Sequence, residues 1–336
     1  MSEFIQQRLE LVRQEMAKSN LDAFIIPRAD EYLGEYVPPQ NERLQWLSGF
    51  SGSAGVAVVL KTRAAMFVDG RYTIQVRQQV PETSFEFHHL IEEPPTHWLL
   101  ETLGDDARIG IDSRMHTLSW YQVTKKAFAT KNIELIELDD NPIDLHWEDR
   151  PIPDHQLAML LGEEYTGVNS EKKRQMISDE IQKSGADIAL ISQLDSIAWL
   201  LNIRGGDVPR LPVLLAFATL DSKGDMIIYT DPSKLPDAFA AHVGKGVTVQ
   251  KEDQLEQTLR HLGSQGKRVM ADPAMANAWC QLRCQNAGAR LIAATDPVLI
   301  PKAQKNEIEL AGIRNCHIRD GSAVSRYLAW NDREVT

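Results

Sequence analysis

Cysteine is scarce. Cys280, Cys284 and Cys316 are the three in a chain of 336 residues, too few for a disulfide framework, and the expected setting is the reducing cytoplasm. Basic charge is also short: 36 Lys and Arg stand against 47 Asp and Glu, a net charge of −11, with no basic block. Binding to nucleic acid or to an anionic membrane is therefore disfavoured. Long hydrophobic runs are missing as well. The most apolar stretch, LPVLLAFATL from Leu211, is too short to cross a bilayer. The N-terminal MSEFIQQRLELVRQEM has no signal-peptide core and no cleavage-like site. Nor does the chain hold a G-K-[ST], an H-E-x-x-H or a C-x-x-C, so a P-loop and the commonest zinc motifs are excluded.

What is present suits a folded domain pair. Hydrophobic residues make up 43% and charged residues 25%, as in ordinary globular proteins, and the length allows two domains with part of a third. Proline-bearing seams at Pro151/Pro153 and Pro297/Pro301 divide the chain. The expected division is 1–150, 151–300 and 301–336.

Each of the first two blocks alternates helix and strand. The first opens on an amphipathic helix with Ile5, Leu9, Val12 and Met16 on one face. The second block repeats the first in order: LDAFII answers to ADIALI, WLSG to WLLN, MFVD to IIYTD, and RIGID to RVMAD. The expected class is α/β, with each block a mixed sheet flanked by helices. From Lys302 to about Trp330 the pattern is one long helix. Leu310, Ile313, His317, Val324 and Leu328 line one face of it. That face needs a partner, which either a third domain or the second block could supply. Because NDREVT follows with no further element, the sequence is expected to end just inside a third domain.

Candidate chemistry begins with WLSGFSGSAG, Trp46–Gly55. Its glycines are spaced G-x-x-G-x-x-G and precede a strand, whereas the dinucleotide fingerprint is G-x-G-x-x-G after one. GFSGS also lacks the last glycine of a nucleophile elbow. The segment is expected to be a helix–turn–strand joint whose serines bond turn backbone. Cys280 and Cys284 share a helix face, and scattered thiols suit buried apolar positions. His88 and His89 point to opposite faces of a strand. Asp69, Asp112, Asp231 and Asp272 end strands in both blocks, which favours turn chemistry over duplicate active sites. The loop NIRGGDVPRLPV, Asn202–Val213, offers Arg204, Asp207 and Arg210. It suits either capture of a carboxylate or an interdomain loop of mutually paired charges.

DEYLGEYVPPQNERLQWLSGFSGSAG (30–55) followed by MFVDGRYTIQ (66–75) resembles the creatinase-type N-terminal domain of long-form Xaa-Pro aminopeptidases. LDSIAWLLNIRGGDVPRLPV (194–213) is similar to their second, tandem creatinase-like domain. KNEIELAGIRNCHIRDGSAVSRYLAW (305–330) is similar to the first helix of their pita-bread catalytic domain.

The resemblance implies a parent that removes the residue preceding proline from peptides. Two divalent metals, usually manganese, would be held there by two aspartates, a histidine and two glutamates of the pita-bread domain. No residue here matches that ligand set, so neither catalytic nor metal residues nor a cofactor are expected in this chain. The resemblance further implies a homodimer and a role in shaping access to the catalytic cleft. Trp46, Phe50, Arg204, Asp207 and Arg210 are the candidates for facing the catalytic domain or the partner subunit. The alternative function is a creatinase-like partner-binding module without peptidase activity; a nucleotide-dependent α/β enzyme is a third.

Overall fold

The computed structural model describes residues 2–335. Helix α1 (Ser2–Lys18) buries Ile5, Leu9, Val12 and Met16, the four residues its periodicity placed on one face. It covers a six-stranded sheet. In chain order the first unit then runs β1 (Ala23–Pro27), α2 (Arg43–Ser48), β2 (Gly55–Leu60), β3 (Ala64–Val68), α3 (Thr73–Gln79), β4 (Glu86–His89), α4 (Pro95–Thr102), β5 (Arg108–Ile111), α5 (Leu118–Phe128) and β6 (Glu134–Glu137). The strand order is β4-β3-β2-β1-β5-β6. β1, β2 and β3 pair antiparallel, and the outer pairings are parallel. Both faces of β3 are buried, which accounts for the unbroken apolar run AAMFV.

The second unit repeats this plan. After β7 (Met159–Leu160), α6 (Glu163–Thr166) and α7 (Ser170–Lys183) come β8 (Ile188–Ile191), α8 (Leu194–Leu201), β9 (Ile203–Arg204), β10 (Phe217–Asp221), β11 (Met226–Tyr229), α9 (Phe239–Val243), β12 (Val247–Gln250), α10 (Leu255–Ser264), β13 (Arg268–Ala271), α11 (Ala278–Asn286) and β14 (Arg290–Ala293). Its sheet order, β12-β11-β10-β8-β13-β14, reproduces the first position by position. The parallel and antiparallel pairings match as well. The four sequence correspondences thus fall on β1/β8, α2/α8, β3/β11 and β5/β13.

Equivalent positions also meet at the joint between the units. Thr117 and Asn277, the N-caps of α5 and α11, pair in an antiparallel bridge. The Ala278 amide donates to the His116 carbonyl at 2.7 Å, and the Ser119 amide to the Pro273 carbonyl at 2.8 Å. Leu118 and Tyr121 pack with Ala278 and Leu282 in one apolar cluster. Contact between equivalent caps is the signature of a local two-fold relation.

The C-terminal region departs from the expected single helix. Lys302 belongs to a short α12 (Leu299–Ala303), and α13 (Glu307–Glu334) begins after a break. Asn306 sets that start: its side chain accepts the Ile308 and Glu309 amides, while Glu309 accepts the Asn306 amide, a complete capping box. A reciprocal cap satisfies orphan amides at the boundary, and the apolar spacing alone does not show it. LDSIAWLLNI likewise divides, into α8 and β9, where Asn202 turns left-handed at φ 52°.

Candidate functional site

WLSGFSGSAG is a turn. α2 ends on Gly49 at φ 81°, whose amide bonds to the Gln45 carbonyl, the usual left-handed stop. Ser48 Oγ donates to the Leu44 carbonyl and accepts the Phe50 amide. The Phe50 ring lies against Gly52, where an added Cβ would fall 2.2 Å from its tip. Ser51 meets only Gln75 and Gln79 side chains, and Ser53 pairs with the Tyr72 hydroxyl. Among the described residues no base is poised to activate either serine. Trp46 is 7% exposed and Phe50 1% exposed. Trp46 packs on Trp147, with the Arg8 guanidinium over its ring, and Phe50 on Tyr72. Both aromatics serve the first unit's own core, because the turn folds their rings back over the sheet.

NIRGGDVP divides in the same manner. Asp207 is buried: its carboxylate accepts the Lys234 ammonium at 2.7 Å and the Leu215 amide at 2.8 Å. It fastens the loop internally. Arg210 is exposed, at φ 68°. Arg204, half-buried, turns toward the start of α13.

There the structure assembles a cleft of about 770 Å³ between α6, α7, α8 and α13. Lys173, at 2% exposure, donates to the Trp199 carbonyl at 3.2 Å and to Asn202 Oδ1 at 2.8 Å. Its ammonium sits 4.1 Å from the centre of the Trp199 ring, a cation–π contact. Burial pushes Lys173 down to about 8; Glu309 opposes this and Arg204 adds to it. Arg204 is lowered by burial too, again against Glu309. Lys173 escaped the sequence reading because SEKKRQMISDEIQKSG is predominantly polar. The only available signal was its position three residues after Ser170, on the face that packs against α8.

Between the two units lies an acidic joint. Tyr32 stacks on Phe217 with centroids 4.9 Å apart and donates its hydroxyl to Glu252 at 2.7 Å. Asn277 Nδ2 reaches the Glu31 carbonyl at 2.7 Å. Asp30 shapes the turn that makes these contacts, accepting the Tyr32 amide and Asn41 Nδ2. Burial, then the neighbouring Glu31 carboxylate, raise Asp30 to about 6, against the bonds from Asn41 and Tyr32 and the charge of Arg43. The folded state therefore binds a proton more tightly than the unfolded chain, and Asp30 withdraws stability as pH rises through about 6. Asp30→Asn is expected to gain on the order of 2 kcal/mol relative to the native chain between roughly pH 4 and pH 8. Urea unfolding across that range checks it; a pH-independent difference would refute the assignment.

The strand-end aspartates do turn work. Asp69, Asp112, Asp231 and Asp272 each accept the amide two residues on. Cys280 and Cys284 are buried and unbridged, and burial raises both thiols. His88 stacks on Phe67, while His89 Nδ1 accepts turn amides. Among the described residues, no group of three or more His, Cys, Asp or Glu is arranged to hold a metal ion. The residues present do not fit a dinuclear centre. No helix among them is long and apolar enough to cross a membrane.

Both units match one family. The creatinase/prolidase N-terminal domain matches residues 8–144 and again residues 149–309. The chain belongs to the creatinase/prolidase N-terminal domain family, in two tandem copies. Xaa-Pro aminopeptidase 1 of Dictyostelium discoideum is 32% identical over 98% of this chain and 54% of its own length. A probable Xaa-Pro aminopeptidase P of Aspergillus flavus is 31% identical over 98% of this chain and 52% of its own. The chain thus spans about half the length of these curated relatives. The X-prolyl aminopeptidase of Caenorhabditis elegans, a cytosolic enzyme with a di-nuclear active site, superposes with a TM-score of 0.90 at 25% identity, covering 98% of this chain and 56% of that one. Tandem creatinase domains of this kind therefore occur within larger aminopeptidases.

Proposed function

We propose that this chain is the non-catalytic N-terminal portion of a dimetal Xaa-Pro aminopeptidase and that α13 opens its catalytic domain. The observation that carries the reading is the state of α13. No residue of its 28 is buried, and Ile313, Ile318, Val324, Tyr327, Leu328 and Trp330 stand exposed along it. A water-facing row of that size marks a surface made to be covered. The relatives' additional length is a natural source of the cover.

In this reading, a pair of divalent ions, manganese first among them, would supply an activated water for cleavage of the bond before proline. The ligands would come from the pita-bread domain. The two creatinase domains would wall the approach to that centre, admit short proline-containing peptides and take part in homodimer contacts in the cytoplasm. The WLSGF joint with Trp46 and Phe50 and the NIRGGDVP loop with Arg204, Asp207 and Arg210 are the candidates for contact with the catalytic domain or the partner subunit.

The chain of 336 residues is expected to leave Xaa-Pro peptides intact with Mn²⁺ added, and the protein carrying the relatives' remaining half to cleave them. Turnover by the shorter chain would overturn the placement of the metal ligands. An extended protein without turnover would favour the partner-binding module instead.

A further inference from the structure

The cleft beside α13 holds two cations that no acid pairs directly, although Glu164, Glu307 and Glu309 also line it. Among the described residues neither Lys173 nor Arg204 forms an ion pair. Lys173 spends two donors on the Trp199 carbonyl and Asn202 Oδ1, and an ammonium has three. Arg204 spends one on its neighbour, the Ile203 carbonyl at 2.8 Å, out of five in a planar fork. Glu309 is the acid whose charge reaches both, but one of its oxygens is committed to the Asn306 amide. The indole N–H of Trp199, on the same cleft, is buried without a partner. Arg204 repels the buried Lys173, less strongly than Glu309 attracts it, and both cations keep donors free.

Leu161, Ile308 and Ile313 add an apolar stretch of wall, beside Glu164, Lys305 and Glu307. A volume of about 770 Å³ is that of a small-molecule site. A guanidinium fork suits a planar carboxylate, and the apolar wall suits an organic body attached to it. A bare phosphate would leave that wall wet.

We propose that this cleft binds the C-terminal carboxylate of a short peptide, with Arg204 and Lys173 on the carboxylate and Leu161, Ile308 and Ile313 around an apolar side chain. The inference concerns this chain with Arg204 and Ile313 uncovered, and its test requires no turnover, so its failure and that of the peptidase reading are distinguishable.

The test titrates Ala-Ala-Leu, as the free acid and as the C-terminal amide, into the 336-residue chain and follows indole NMR shifts. The acid is expected to bind and to perturb Trp199, and the amide to bind at least about tenfold more weakly. Arg204→Gln, at a half-buried position, is expected to weaken the acid about tenfold with the melting temperature retained. Equal binding of acid and amide, or no response from Trp199, would overturn the proposal using the native chain alone. Displacement of the peptide by equimolar inorganic phosphate would also overturn it, by showing a site for bare anions.

Discussion

Arg43→Ala is expected to destabilise the first creatinase domain by about 3–5 kcal/mol, the usual loss when one partner of a buried ion pair is removed. Arg43 is 2% exposed. Its Nε and Nη2 take both oxygens of Asp144, at 2.7 and 2.8 Å, and Nη2 also takes Glu31. Burial works against its charge, but Glu31 and Asp144 outweigh it and hold the guanidinium firmly protonated. Alanine would leave Glu31 without its cation and Asp144 with Arg150 alone, at 3.4 Å. Their side chains are 19% and 28% exposed, and water reaching them holds the loss toward the lower end of that range. The loss would also spread, because the Glu31 carbonyl is where Asn277 of the second domain docks. Urea unfolding should show a lower midpoint, and hydrogen exchange should show faster opening at the start of α11. Arg43→Lys keeps the charge but not the fork, and should fall between the native chain and alanine. A midpoint unchanged in Arg43→Ala would mean that the triad contributes nothing net.

Asp207→Ala is the second large effect, again about 3–5 kcal/mol. The Asp207 side chain is 1% exposed and that of Lys234 10%, so alanine strands an ammonium in the interior and also leaves the Leu215 amide without its acceptor. The damage should extend to the linker, whose Ala158 amide bonds to the Lys234 carbonyl. Replacing both members, as Asp207→Leu with Lys234→Met, removes the stranded charge. The double variant should unfold at a higher urea concentration than Asp207→Ala, since apolar replacements of a buried pair are often close to neutral. A double variant as weak as the single one would show that the cost lies in the lost loop hydrogen bonds and not in the unpaired lysine.

Much of the architecture is readable one element at a time. Ile5, Leu9, Val12 and Met16 repeat at helical spacing and are buried together. Gly49 follows α2 where a left-handed stop is needed. RIGID and RVMAD end on aspartates that accept the amide two residues on. These features depend on neighbours a few positions away, so the chain records them locally. The internal duplication is legible for the same reason: two copies of one order of local signals fold into two copies of one sheet.

The candidate site is less legible. Trp46 lies in the short α2, Phe50 and Asp207 beside glycines in polar loops, and all three side chains turn in. Lys173 sits in a charged helix, yet its ammonium lies buried over Trp199. The sequence by itself determined the α/β plan, the tandem repeat, the turns and the amphipathic first helix. Only the tertiary structure decided which loop side chains became core, that Arg43 would meet Asp144 and Asp207 meet Lys234, and that Lys173 and Arg204 would share a cleft. Periodicity reports burial along a single element. A charge's partner is chosen when the chain returns from a distance, at a cost in loop closure that depends only weakly on how far it has travelled.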